Sequence, residues 1–303
     1  MSMERLKAIL RPIYVPLVAK ARFLCLRLLQ PLCIMSAEAT IDYIMKHNCS
    51  VARYGDGEFN ITLHDYGVVF QGYNPNLSHR LRKVLATTDE RVLICLPYSL
   101  SNQRGMNEHA QNFWREWAFQ NYTTLAAFLY KSRGARALYG DADITRPYKN
   151  WKRAEHAERV FAKLKQLWCA KDILIVEGEQ TRLGVGNDLL SNASTIKRVL
   201  CPPKNAFNCY ETIVGAVLKH WNGELVLIAL GPAATVLAAD LTEHGIQALD
   251  VGHMDIEYEW MLRRSTEKEQ IPGKYTNEAN NDELIGECVD PLYLSQIVCR
   301  ISE

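Results

Sequence analysis

Seven short β-rich runs recur along this chain with helix-length segments between them, and that alternation limits the fold more than any other feature. The runs are Val51–Tyr54, Val92–Leu96, Ala137–Tyr139, Ile173–Glu177, Arg198–Cys201, Leu225–Leu230 and Ala248–Val251. Between them, Arg153–Trp168 carries Ala154, Ala157, Phe161, Leu164 and Trp168 at helical spacing, and a second helix is expected from about Ala233 to His244, stopped by Gly245. Strands separated by helices imply βαβ units, so the predicted class is α/β, a mostly parallel sheet flanked by helices. In such sheets ligands collect beyond the carboxyl ends of the strands.

The loops after those strands are where polar and glycine residues gather. Arg53 and Tyr54 run into Gly55-Asp56-Gly57-Glu58, a tight loop that re-aims side chains. Ala137–Tyr139 leads to Gly140-Asp141-Ala142-Asp143 and Thr145-Arg146-Pro147-Tyr148, and Ile173–Val176 leads to Glu177-Gly178-Glu179 and on to Asn187-Asp188. Lys204 and Asn205 follow Cys201-Pro202-Pro203. Gly231-Pro232-Ala233-Ala234-Thr235 has small residues and a proline at the first helical position, as an anion site at a helix N-terminus would. Each loop alone also fits an ordinary turn or a surface charge.

The segment Gly252–Trp260 sets Asp255, Glu257 and Glu259 at alternate positions after an apolar run. An extended chain would project the three carboxylates to one side and form an oxygen site suited to Mg²⁺ or Mn²⁺. His253 stands two residues before Asp255. The polar stretch from about Arg263 to Asp282, with Pro272-Gly273 as its turn, reads as a mobile loop.

Composition excludes some partners. A net charge of +1 over 303 residues argues against nucleic acid, which is bound through clustered Lys and Arg. Residues 1–35 nevertheless carry six basic residues against Glu4, a balance of +5 that leaves −4 for residues 36–303. The chain is accordingly divided into a basic N-terminal segment, 1–35, and a catalytic domain, 36–303. Pro12, Pro16, Lys20, Arg22 and Arg27 interrupt every apolar run, against a signal peptide or a membrane span. From Leu17 to Leu29 a basic helix on an anionic membrane is one expectation and a solvated or core-capping helix the other, since Arg22 sits opposite Lys20 and Arg27. Nine scattered cysteines without a C-x-x-C pair read as reduced thiols of a cytoplasmic protein.

Taken together, A-R-Y-G-D-G-E-F at 52–59, T-R-P-Y at 145–148, R-L-G-V-G-N-D-L-L at 182–190, C-P-P-K-N-A-F at 201–207, L-G-P-A-A-T-V-L-A at 230–238 and G-H-M-D-I-E-Y-E-W at 252–260 resemble the bacterial glycosyltransferases of the GT-D fold type. The resemblance covers about residues 36–280. It implies a Rossmann-like sheet, a nucleoside-diphosphate sugar donor that is usually a UDP-sugar, a glycan, glycoprotein or glycolipid acceptor, and a divalent cation, Mn²⁺ or Mg²⁺, at a D-x-E motif mapped onto Asp255 and Glu257. Arg53, Gly55, Arg146, Asn187, Lys204, Asn205, Gly231, Pro232, Ala233 and Thr235 are then expected at the nucleotide sugar, and Asp56 or Glu58, with Glu179 behind them, as catalytic base. The expected location is cytoplasmic, peripheral at the inner face of the plasma membrane. A metal-dependent nucleotide or phosphoester hydrolase would use the same acidic rim with water as acceptor, and a catalytically idle nucleotide-binding module is a third reading.

Overall fold

A computed structural model describes residue 18 and residues 20–276, 278–279 and 285–302. Most of the basic segment, residues 1–17 and 19, lies outside the described residues, as do 277, 280–284 and 303. The described part of the segment is helical at 20–29 (α1).

All seven expected strands form: β2 (Ser50–Arg53), β3 (Val92–Leu96), β4 (Leu138–Asp141), β5 (Asp172–Gly178), β6 (Thr195–Cys201), β7 (Leu225–Ala229) and β8 (Ala248–Asp250). Two strands missed by pattern, β1 (Cys33–Ile34) and β9 (Ile297–Arg300), cover the edges, giving a parallel nine-stranded sheet in the order β1-β4-β3-β2-β8-β7-β5-β6-β9. The α/β expectation holds.

Period-two alternation sends successive strand residues to opposite faces, and both faces are covered. Ile94, Leu174, Val176, Val226 and Ile228 join one core with the helices α4 (Pro75–Leu85), α5 (Glu108–Arg133), α7 (Tyr210–His220) and α8 (Pro232–Glu243). Leu93, Ile173, Ile175, Leu225 and Leu227 join the other with α2 (Ala37–His47), α6 (Ala154–Leu164) and α9 (Met254–Leu262). The short helices α3 (Asp56–His64) and α10 (Pro291–Gln296) sit after β2 and before β9. At the centre of the sheet, β2 and β8 share one register pair, Val51↔Leu249, whereas β5 and β6 run side by side over their whole length.

Two expectations are corrected. Residues 254–262 are helical, not extended: Gly252, at φ +46°, turns the chain out of β8. Met254, Tyr258 and Met261 then pack toward the sheet, while Ile256 and Trp260 pack outward on Ile271. That outward packing also accounts for the second correction, because the stretch 264–276 is a strap, not a free loop, with its own Ile271 and Lys274 buried.

Candidate functional site

From β5 the chain crosses to β6 on one side, and from β7 it crosses to β8 on the other, so the loops diverge between β5 and β7. A crevice is expected at such a switch point. A narrow slot of about 100 Å³ lies there, walled by Phe70, Pro202, Pro203 and Tyr275 and floored by Gly178 and Gly231. The chain diverges again between β2 and β8, and a wider cleft of about 610 Å³ opens above them, bearing Asp56, Glu58, Asp143, Arg146, Lys268 and Glu278. Phe70, Gly231, Gly252 and His253 line both, so the two form one crevice.

Arg53 is a strut at the edge of this cleft. Its Nε donates to the Asp250 carbonyl at 2.8 Å, Nη2 to Asp250 Oδ1 at 3.0 Å and Nη1 to the Ala142 carbonyl at 3.1 Å. A Cβ on Gly252 would lie 2.0 Å from Nη2, which explains the glycine there. Most of the guanidinium is thus committed to the protein and not to a ligand.

Gly55, two residues beyond the end of β2, caps α3, and Glu58 folds back so that its Oε2 accepts the Gly55 amide at 2.8 Å. Burial, and then the nearby Asp250 charge, push the Glu58 carboxyl up to about 7, against the pull of that amide. Asp56, in the same first turn, is exposed on the cleft.

Asp143 was not selected from the sequence, although the loop carrying it was visible after its strand. It is buried, and its Oδ2 has no hydrogen-bond partner among the described residues. Burial raises it to about 6, while Arg146 and Arg53 draw it down. An unpartnered buried carboxylate of raised proton affinity at a cleft is a candidate for a functional group.

Arg146 reaches the centre of the cleft, paired to Glu278 and with its Nε 3.8 Å from Glu257 Oε1. Glu278 also pairs with Lys268, and these two cations outweigh its burial and hold it down at about 2. His253 is driven down to about 4, first by burial and then by Arg146, so its imidazole is neutral.

The remaining expected ligands scatter. Asn187 donates to Asp255 at 2.8 Å and to Glu259 at 2.7 Å, beneath the crevice. Asn205 fastens the loop that carries Phe70: its amide donates to the Phe70 carbonyl and its side chain accepts from Gly72, both at 2.8 Å. Lys204 is exposed and lines neither part of the crevice. Thr235 is buried, its hydroxyl 2.9 Å from the Arg53 carbonyl, and Pro232 and Ala233 are buried with it. Gly231 does border the crevice, but a Cβ there would meet the Phe70 ring at 2.2 Å, so an aromatic ring rests where an anion was expected. Glu179 pairs with Arg300 in an exposed contact.

The helical geometry separates the carboxylates of the D-x-E pair. Asp255 and Glu259, one turn apart, share Lys274, whose Nζ lies 2.6 Å from Asp255 Oδ2 and 3.1 Å from Glu259 Oε1. The other Asp255 oxygen accepts the Gly184 amide at 2.9 Å. Glu257 points elsewhere and accepts the Tyr148 and Lys149 amides, each at 3.0 Å. Asp255 and Glu257 therefore do not fit one divalent cation: an ammonium already takes the first, while backbone amides hold Oε2 of the second and its Oε1, without a hydrogen-bond partner among the described residues, faces the Arg146 guanidinium. Among the described residues no group of three or more His, Cys, Asp or Glu side chains is arranged to hold a metal ion.

The family described as the glycosyltransferase GT-D fold matches residues 51–279. The chain is 41% identical over 271 residues to a protein called probable glycosyl transferase Gly of Streptococcus gordonii, covering 89% of this chain and 39% of that protein. It is 37% identical over 269 residues to glycosyltransferase GlyD of Streptococcus pneumoniae serotype 4, covering 88% and 32%. The chain thus spans well under half the length of these curated relatives. A solved structure of the domain of unknown function 1792, described as having a distinct glycosyltransferase fold, superposes with a TM-score of 0.85 at 39% identity over 92% of this chain and 99% of that one. Another, called a new glycosyltransferase from Streptococcus sanguinis, gives 0.80 at 40% identity over 89% and 100%.

Proposed function

The chain belongs to the GT-D glycosyltransferase family, and from that premise we propose that it transfers a sugar from a nucleoside-diphosphate donor, a UDP-sugar, to a glycan or glycoconjugate acceptor. One observation carries the reading: a narrow, largely apolar slot at a switch point opens without interruption into a wide charged cleft. A planar base suits the slot between Phe70 and the Pro202-Pro203 turn, and the diphosphate then runs past His253 toward Arg146 and Lys268. The hexose and its acceptor share the cleft. The hydrolase reading finds no support among these relatives.

In the transfer, an acceptor oxygen forms a bond to the anomeric carbon as the bond from that carbon to the diphosphate breaks. The departing diphosphate takes the electron pair, and cations fixed in place stabilise it better than mobile water does. If configuration inverts, a carboxylate takes the acceptor proton. Glu58 and Asp143, both with raised proton affinity, and the exposed Asp56 are the groups this chain offers. Asp255 and Glu257 do not fit a metal, which leaves Arg146 and Lys268 as the fixed cations beside the diphosphate. UDP release from a panel of UDP-hexoses, with and without methyl glycosides as acceptors, tests the reading. Acceptor-stimulated UDP release supports it, and phosphate release indifferent to acceptor overturns it.

The same proposal takes the protein to an anionic membrane surface. Lys20, Leu24 and Leu28 follow one line of α1, and Leu24 is 55% and Leu28 73% exposed. Arg22, which sits opposite Lys20 and so counts against amphipathicity in the sequence, lies over the Phe119 ring at 4.4 Å. No described helix is long and apolar enough to cross a membrane. Co-sedimentation with phosphatidylglycerol vesicles, lost in Leu24→Gln/Leu28→Gln, is expected; equal sedimentation of both proteins removes the membrane role.

A further inference from the structure

The two walls of the wide cleft differ in chemistry. Its floor is charged, whereas the wall contributed by α5 and the Phe70 loop presents Val69, His109, Phe113 and Trp114. Phe113 is 43% exposed, although it sits in a helix whose other large side chains mostly face the core. An aromatic ring left in water beside a binding cleft forfeits stabilisation that a ligand can restore.

Phe113 is also held in place. Its ring meets Trp114 edge-on at 5.2 Å, Trp114 meets Trp117 at 5.6 Å, Trp117 meets Phe59 at 4.9 Å and Phe59 stacks with Tyr54 at 5.9 Å. The last two rings are fully buried beside β2. A series of five contacting rings thus runs from the core to the cleft wall, and only its outermost member is open to solvent to this extent. Rigid support of this kind lowers the ordering cost of binding.

We propose that Phe113 is the platform for a sugar ring of the acceptor. The axial hydrogens of a pyranose form an apolar face that lies flat on an aromatic ring, while its equatorial hydroxyls point outward to polar groups. The site rests on the transferase reading, which assigns the slot and the cationic floor to the donor and leaves this wall for the acceptor. Phe113 touches no donor group in that arrangement, so it governs acceptor affinity and not activation of the donor.

The test uses the full chain with a UDP-hexose at saturation and methyl β-glycosides of glucose, galactose and N-acetylglucosamine. Phe113→Ala is expected to raise the acceptor KM at least tenfold while leaving the slow acceptor-free release of UDP unchanged, and Phe113→Trp to restore the KM. Saturation-transfer NMR reads binding of the same methyl glycosides without turnover, with their ring-face protons receiving most signal in wild type and little in Phe113→Ala. An unchanged KM, or unchanged transfer to the glycosides, overturns the platform. Absence of UDP release from every UDP-hexose, with glycoside binding still dependent on Phe113, would count against the donor reading and leave the platform standing.

Discussion

The Lys274 ammonium lies 2.6 Å from Asp255 Oδ2 with both side chains buried, so the carboxylate expected to hold a metal holds a lysine instead. Removing one partner of a buried pair costs about 3–5 kcal/mol when the charge left behind is uncompensated, and less than that here, because Glu259 Oε1 stays 3.1 Å from the Lys274 ammonium. Asp255→Asn should therefore lower the denaturation midpoint markedly, and Asp255→Asn/Lys274→Met should recover part of the loss. A normal midpoint accompanied by lost activity would return Asp255 to a direct catalytic role.

The raised carboxyls give a pH dependence with a definite sign. Glu58 titrates near 4.5 when unfolded and at about 7 in the fold, so the folded state holds the extra proton between those values. Stability from this group is complete below about pH 4.5 and declines toward pH 7, by up to about 1.4 kcal/mol per pH unit. Glu58→Gln should flatten that decline in denaturant midpoints taken from pH 4.5 to 7.5. If Glu58 is also the base, kcat/KM rises with pH toward 7 in wild type and the rise vanishes in Glu58→Gln. A rise that persists there and vanishes in Asp143→Asn assigns the base to Asp143.

Glu278 occupies both Arg146 and Lys268, the cations nearest the proposed path of the diphosphate. Glu278→Gln should tighten UDP binding several-fold by calorimetry, since the ligand no longer displaces a carboxylate. Arg146→Met should weaken it by at least about tenfold, equivalent to 1.4 kcal/mol. Equal affinities in all three proteins would remove Arg146 from the donor site.

Gly252→Ala places a methyl group against Arg53 and forces an alanine to φ +46°. A non-glycine residue in that region costs about 1–3 kcal/mol even without a clash. Thermal unfolding should show at least that loss, and turnover should fall further as Arg53 shifts. Full stability and activity would show that the guanidinium has room to move.

Much of the architecture was legible because the strands are apolar on both faces and end in glycine or charge. The edge strands were not, since Cys33–Ile34 is two residues long and Ile297–Arg300 is half exposed. In the site, Glu58 and Arg146 were found from loops that follow strands. Alternation misled at Asp255 and Glu257, because Met254, Tyr258 and Met261 satisfy helical spacing as well, and only burial by the strap decides between the two periods. Phe70 and Phe113 had no signal of their own. One gains its position from a hydrogen bond to Asn205, and the other stands off the apolar stripe of α5.

The single register pair between β2 and β8 makes the centre of the sheet its narrowest join. Arg53 and Asp250 clamp that join across 197 positions of sequence. Closing so long a loop is entropically slow and comes after local βα units have formed. The crevice straddles this join, so its two sides come together only when that long loop closes. One core and α8 still bind the two sides, so amide exchange in the strands should open earliest between Val51 and Leu249.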